Sequence, residues 1–345
     1  MSRRQETGAA GTLEIRTSPH VLSGYSVDTI MFNVALALLP ATAFAIYAFG
    51  LAAIAVLATA TASCVATEAL YRRLSGQPAT VGDWSAAVTG LLFGLTLPAS
   101  LPMWMTVLGG VVTMLMGKLM FGGLGANPFN PALVGRAVMQ ATFPVAMTTW
   151  IPPFGADRFA ALPSSALTWP FLQPVYDAVT AATPLSLWKF GHQATAARDL
   201  ALGFVGGSIG ETSAVLILLG GVYLVARNMM GWRIPVAVFG AVAAVSGTLH
   251  LLQPERYASP AFMLGAGGLV LGAVFMATDP VTSPLTHAGA WIYGALIGVV
   301  VAVIRVWGGM PEGVMYAVLL GNAVAPHLDK LLRTRVYGTG TRRAA

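Results

Sequence analysis

Ten apolar stretches follow one another along the chain, and short polar segments between them carry most of the charge. They run roughly over 30–49, 51–70, 86–98, 104–121, 131–148, 211–228, 234–252, 261–277, 289–307 and 311–328. Most approach the length of about 20 residues at which an apolar helix crosses a bilayer. Several are short or interrupted by Gly and Pro. Broken helices are tolerated at membrane depth where the freed backbone is buried in protein or lines a cavity. The segment 201–210 (ALGFVGGSIG) is expected as a half-helix leading into the sixth span. The pattern predicts an all-α polytopic membrane protein of about ten transmembrane helices.

The two halves resemble each other at an offset of about 182–188 residues. GLLFGLTLPASLP (90–102) matches GAVFMATDPVTSP (272–284), GGVVTMLMGKLMFGG (109–123) matches IGVVVAVIRVWGG (297–309), and LVGRAV (133–138) matches LLGNAV (319–324). Five spans, an odd number, separate the copies, so they must be inverted across the membrane. Two inverted five-helix repeats with broken half-helices follow a known transporter plan, with the site at the repeat interface near the midplane. The expected division is a cytoplasmic segment 1–29, a first transmembrane repeat 30–148, a connecting loop 149–200, a second repeat 201–328 and a basic tail 329–345.

Composition narrows the class. The 345 residues are 56% apolar and 9% charged, against about 25% charged in a soluble protein. That excludes a soluble enzyme, a disordered chain and a secreted disulfide scaffold. The 39 Gly lack a collagen period and suit close helix packing in a membrane. Of the 19 Lys and Arg, 14 fall on one side of the expected topology and 5 on the other. The excess of positive charge on the inner side places both termini in the cytoplasm and the loop 149–200 outside it. The net charge of +6 therefore reads as topology and implies no nucleic acid. The polar N-terminus has no apolar core directly after its arginines and does not read as a cleavable signal peptide. Cys64 stands alone, and the five His show no ligand spacing, so neither a disulfide nor a zinc, haem or iron–sulfur site is indicated.

Three features are candidates for chemistry. Asp177-Ala-Val-Thr180-Ala-Ala-Thr183-Pro184 lies in the outward loop. A threonine before proline is ordinarily an extended turn position, but its hydroxyl can form a phosphoester. Gly122–Ala132 (GGLGANPFNPA) precedes the fifth span. Its Asn-Pro steps serve as helix-start devices, and its Asn127 and Asn130 amides suit the edge of a polar planar ligand. The Asn-Pro-Ala triplet resembles aquaporins, yet the second half reads Gly-Asn-Ala-Val-Ala-Pro (321–326) and lacks it. Ionisable residues in spans are costly and mark function. Lys118, Glu211, Asp279, Arg305 and Glu312 are such residues, with Glu211, Asp279 and Lys118 as candidates for an ion pathway. Asp28, Glu68 and Asp329 are expected at span ends, snorkelling or capping.

Taken together, Thr17-Ser18-Pro19-His20, Ile30-Met31, Ala37-Leu38-Leu39-Pro40, Gly117-Lys118, Phe121-Gly122-Gly123, the block 127–137 (NPFNPALVGRA) and Ala277–Pro284 (ATDPVTSP) resemble RnfD, a membrane subunit of the Rnf electron-transport complex, over nearly the whole chain. The sister family is the B subunit of the sodium-pumping NADH:quinone reductase. That family carries a longer N-terminal extension than the 29 or so residues found here, which favours RnfD. The resemblance implies FMN attached through its phosphate to a threonine by a flavin transferase of the ApbE type. The acceptor motif falls on Asp177, Thr180, Ala181, Ala182 and Thr183, with Ala181 where the family commonly has Gly. Thr183 is the expected acceptor and Thr180 the alternative. The resemblance also implies a non-covalent riboflavin near the Asn-rich block, with Asn127 and Asn130 as candidate contacts.

The implied role is an inner-membrane subunit relaying electrons through flavin. It is not a complete enzyme, because no dinucleotide fingerprint follows a strand. By resemblance the whole complex links ferredoxin and NAD to movement of Na⁺ or H⁺. Its expected partners are the lipid bilayer and other Rnf subunits, among them an outward-facing flavoprotein and membrane iron–sulfur subunits. A channel or secondary transporter for a small polar solute fits the inverted repeats and broken helices equally well. Only the Asp177–Thr183 segment and the resemblance favour electron transfer.

Overall fold

The computed structural model describes residues 26–78, 80–170, 172, 174 and 181–332, and the regular structure among them is helical. Helices fall on each of the ten apolar stretches. The first half holds α1 (Val27–Phe49), α2 (Leu51–Leu74), α3 (Ser85–Leu95), α4 (Met103–Gly117) and α5 (Pro131–Thr142), followed by one turn, α6 (Pro144–Met147). The long connection carries α7 (Pro184–Gly191) and α8 (Ala197–Leu202). The second half holds α9 (Ala214–Ala226), α10 (Arg233–Leu252), α11 (Pro260–Gly265) and α12 (Leu269–Leu271), which runs into the π-helical turn Gly272–Met276. α13 (His287–Trp307) and α14 (Val314–Leu331) close the order.

Starts and stops follow local chemistry. Ser26, Asn130, Thr183, Ser213, Ser259 and Thr286 each cap a helix by accepting a backbone N–H on a side-chain oxygen. Pro follows the cap at α5, α7 and α11, where its fixed φ and missing N–H cost nothing. Proline also breaks the fifth stretch. Pro144 cannot donate the bond that would continue α5, and the chain restarts as α6. The eighth stretch breaks at Ala266–Gly268, between α11 and α12.

Five helical stretches are long and apolar enough to cross a membrane: Val27–Phe49, Leu51–Leu74, Met103–Phe121, Arg233–Leu252 and His287–Trp307. Each turns only 33% to 50% of its apolar window inward. Leu36, Ile54, Val107, Val222, Val236 and Ile292 face outward from their helices. An apolar surface on this scale needs lipid rather than water around it. The chain is a multi-pass membrane protein.

The two halves pack by the same scheme. α2 contacts α3 and α4, and α4 contacts α5; correspondingly, α10 contacts α11 and α13, and α13 contacts α14. α1 and α9 pack against each other across the halves, where Tyr223 donates to Asn33 Oδ1 at 2.6 Å. A second seam joins α5 to α14. The Asn130 N–H donates to Asn322 Oδ1 at 3.2 Å, and Asn130 Nδ2 donates to the Met276 carbonyl at 3.3 Å.

Two expectations fail. The segment 201–210 is not a half-helix. α8 ends at Leu202, Gly203 turns at φ 91°, and no helix resumes before Ala214. Its backbone bonds elsewhere, with Ile209 N–H donating to Leu97 O at 3.0 Å and Gly210 N–H to Leu95 O at 2.6 Å. The segment therefore seals the open carbonyl end of α3 instead of coiling on itself. Glu68 is not at a snorkelling span end. It is fully buried, and Lys118 Nζ donates to both its oxygens at 3.0 Å and to Ser85 Oγ at 2.6 Å. Thr80 Oγ1 completes the shell at 2.7 Å. Asp28 is exposed in the first turn of α1, and Asp329 accepts from the Leu285 N–H at 3.0 Å, both as expected of end residues.

Removing one member of a buried pair strands the other charge, at a cost of about 3–5 kcal/mol. Lys118→Met is expected to lower the melting temperature of the detergent-solubilised protein sharply. Adding Glu68→Gln to it should restore most of the loss. Equal melting temperatures for wild type and the single variant would show that the pair does not pin α2 to α4.

Candidate functional site

α7 is held in place at both ends. Thr183 Oγ1 caps it, accepting from the Ser186 N–H at 3.3 Å and lying 3.1 Å from Ser186 Oγ. Upstream, the Ala181 N–H donates to Trp150 O at 2.9 Å. Near its other end, Lys189 Nζ donates to the carbonyls of Arg305 (3.2 Å), Gly308 and Met310 (2.9 Å), closing the end of α13. Desolvation there lowers the pKa of the Lys189 ammonium. Trp188 packs on Phe262 of α11 with ring centroids 5.8 Å apart. The buried Thr183 hydroxyl is thus set in a fixed position against both halves of the protein.

Thr183 lines a cavity of about 430 Å³, within the range of about 300–1,000 Å³ typical of small-molecule sites. One wall is α5, through Leu133, Arg136 and Gln140, continuing to Trp150. Ser208 and Glu211, Gly268, Leu271, Gly272 and Met276 of the broken eighth stretch, and Glu312 with Val314 to Tyr316 complete the lining. Charged groups stand in and beside it. Arg136 Nη2 stands 3.7 Å from Glu312 Oε2, and Glu312 Oε1 accepts from the Gly268 N–H at 3.0 Å. Glu211 is hydrogen-bonded to Ser208 and meets Glu312. Arg305 donates to the carbonyls of Met263 at 2.6 Å and Ala266 at 2.8 Å. Among the described residues, Arg136 Nη1 is buried with no hydrogen-bond partner. A cavity with a hydroxyl at one place and an unsatisfied guanidinium at another fits an anionic, polar ring compound such as FMN.

A second cavity, of about 90 Å³, lies between α1, α3 and the Asn-rich block. It gathers Lys118, Asn127, Asn130 and Asp279. Asn127 Nδ2 donates to Phe129 O at 3.1 Å, while its Oδ1 is buried without a partner. Asn130 is already committed. Its Oδ1 accepts from Ala132 and Leu133 N–H at 3.1 and 3.3 Å, and its Nδ2 spans to Met276. Lys118 is fixed by Glu68 and Ser85. Asp279 accepts from the Val281 N–H at 3.2 Å and from Thr282 Oγ1 at 3.3 Å.

The structure therefore divides the sequence candidates between two cavities, with Ala182, Thr183 and Glu211 in one and Lys118, Asn127, Asn130 and Asp279 in the other. Asp177 and Thr180 lie outside the described residues. Sequence reasoning missed Arg136 as a cavity residue and counted it among the charges that set topology. The available signal was its spacing. Leu133, Arg136 and Gln140 fall at i, i+3 and i+7, one face of a helix, and an arginine inside a span marks a site.

Comparison with known proteins places these features in a family context. Residues 14–338 match the NQR2, RnfD, RnfE family. The D subunit of the proton-translocating ferredoxin:NAD(+) oxidoreductase complex of Clostridium ljungdahlii is 40% identical over 339 residues, covering 94% of this chain and 96% of that one. The D subunit of the Na(+)-translocating ferredoxin:NAD(+) oxidoreductase complex of Acetobacterium woodii is 39% identical, covering 94% and 95%. The D subunit of the ion-translocating oxidoreductase complex of Stutzerimonas stutzeri is 40% identical, covering 92% and 94%.

The Thr183 cap is worth about 1 kcal/mol to the first turn of α7. Thr183→Val should therefore speed amide exchange in that turn several-fold, with Thr183→Ser close to wild type. Hydrogen exchange read by mass spectrometry on peptides covering 181–191 checks this. Identical exchange in all three proteins would remove the capping role.

Proposed function

The chain belongs to the NQR2, RnfD, RnfE family, and on that premise we propose that it is the flavin-carrying membrane subunit of an ion-translocating ferredoxin:NAD oxidoreductase (Rnf) complex. The carrying observation is the fixed Thr183 hydroxyl opening on a cavity of about 430 Å³ that also presents Arg136. Thr183 Oγ1 is the proposed ester oxygen to FMN. That oxygen still accepts from the Ser186 N–H after esterification, so attachment does not undo the α7 cap. Once bound, FMN supplies the electron-transfer chemistry. The chain would position it: Lys189 and Trp188 fix α7, the Trp150 carbonyl holds the Ala181 segment, and Leu133, Arg136 and Gln140 of α5 line the cavity it would occupy.

The smaller cavity is the proposed place of a non-covalent riboflavin, supported by the orphaned Asn127 Oδ1. Asn130 would shape the wall rather than read the ring, since its amide is spent. A ring needs more than 90 Å³, and the lining Met31, Met229 and Met230 are side chains able to shift. For the ion pathway, Glu211 and Asp279 stay as candidates, with Lys118 as the fixed counter-charge of Glu68. The matched packing of α2–α5 and α10–α14 supports ten spans in two inverted repeats. The excess of basic residues supports an inner-membrane location with cytoplasmic termini and loop 149–200 outside. Lys118, Arg136 and Arg305 are buried and leave that count, taking two from the larger side and one from the smaller, so the bias stands. Other Rnf subunits are the proposed partners, including an outward-facing flavoprotein and membrane iron–sulfur subunits, with an ApbE-type transferase attaching the FMN.

In-gel ultraviolet fluorescence of the denatured chain, co-produced with a flavin transferase, tests the attachment. Wild type and Thr180→Val should fluoresce and Thr183→Val should not. A dark wild-type band, with the transferase active on another substrate, would move the solute-transporter reading to first place.

A further inference from the structure

We propose that Arg136 is the cationic partner of the flavin ring and sets its reduction potential, an inference that rests on the reading that Thr183 carries FMN. Arg136 stands in an electrostatic shortfall: it is 8% exposed, and among the described residues its Nη1 has no partner and its ion pair with Glu312 is stretched to 3.7 Å. A buried charged donor without an acceptor is expensive, and the cavity it faces is open for one to enter.

Thr183 and Arg136 line the same cavity, Arg136 from α5. With the phosphate esterified to Thr183, the rest of the flavin would occupy that cavity, which the guanidinium also lines. The pyrimidine edge of the ring accepts hydrogen bonds and gains negative charge on reduction, and it is the part that an unpartnered guanidinium suits. The same cavity holds Glu211 and Glu312, hydrogen-bonded to each other, and their negative charge opposes that of a reduced ring, while Arg305 stands behind Gly267. A fixed, buried cation weighs more than the same cation in solvent. Arg136 offsets the two carboxylates and favours the reduced flavin.

The test is a potentiometric titration of the full chain, flavinylated by a co-produced transferase and purified in detergent, with the Thr183→Val spectrum subtracted to remove any non-covalent flavin. Arg136→Gln should favour the oxidised form at least tenfold, a drop of about 30 mV for a two-electron couple. Arg136→Lys, which keeps the charge, should recover most of it. Glu312→Gln should shift the potential the other way, and it carries the test if Arg136→Gln fails to accumulate. In-gel fluorescence separates two kinds of failure. A dark wild-type band overturns the flavin reading and this inference with it. A fluorescent Arg136→Gln band with an unmoved potential overturns the role of Arg136 alone, as does an unmoved potential in Glu312→Gln. A purely structural role in pairing Glu312 predicts the unmoved potential.

Discussion

A helix broken inside hydrocarbon exposes amides and carbonyls that lipid cannot satisfy, and the break at Ala266–Gly268 sets the terms for the rest of this molecule. Arg305 supplies donors to the freed carbonyls of Met263 and Ala266, and Glu312 accepts from the freed Gly268 N–H. Gly267 sits between them at φ 69°, where an added Cβ would fall 2.1 Å from Glu312 Oε1 and 3.0 Å from Arg305 Nη2. Only glycine leaves room for both charges to reach the backbone. Sealing the break thus fixes a carboxylate at its edge, and that carboxylate faces Arg136 of the other half.

The first half solves an equivalent problem with a shorter device. Registering GLLFGLTLPASLP on GAVFMATDPVTSP places Ser85 opposite Gly267 and Thr96 opposite Thr278. Lys118, just past the end of α4, reaches Ser85 at the start of α3; Arg305, near the end of α13, reaches the break before α12. Each half therefore uses a basic residue at or near the end of one long helix to tie down the entry to a short one. Thr96 and Thr278 each line a different cavity. What differs is the contents. The first half pairs its Lys with Glu68 and buries both, leaving a small cavity beside Asn127. The second half spends its Arg on carbonyls, and Glu312, held by the Gly268 N–H, lines the larger cavity.

The apolar helices and their interruptions were legible because they are properties of hydrophobic period and of Pro and Gly, which act locally. Thr183 could be singled out because its signal is contiguous, and the structure places it at the start of α7 on the wall of a cavity. The pairing of charges was not. Glu68 and Lys118 stand 50 positions apart, and Arg136 and Glu312 belong to different halves, so nothing local marks them as neighbours. The fate of 201–210 was hidden for the same reason. Its glycines read as a flexible half-helix, but its amides are taken by Leu95 and Leu97 across the fold. Conversely, Asn130 looked like a ligand contact because Asn-Pro is conspicuous in sequence, and its amide is consumed by the cap and by Met276.

Relatives named for H⁺ and for Na⁺ are 40% and 39% identical to this chain over 94% of its length. Overall similarity therefore carries no information about the ion, and any preference must lie in a few side chains. The cavity beneath α7 is where such side chains have leverage. If the proposed flavin ring lies beside Arg136, charge added to it would change the field at Glu211 and Glu312, and linkage would make that effect reciprocal. A cation or proton held there would favour reduction by the same free energy with which reduction favours the cation. Such coupling would need no moving part, only charges that cannot relax away. The sealed break supplies that rigidity, because Glu312 is tied to the Gly268 backbone and cannot follow the field.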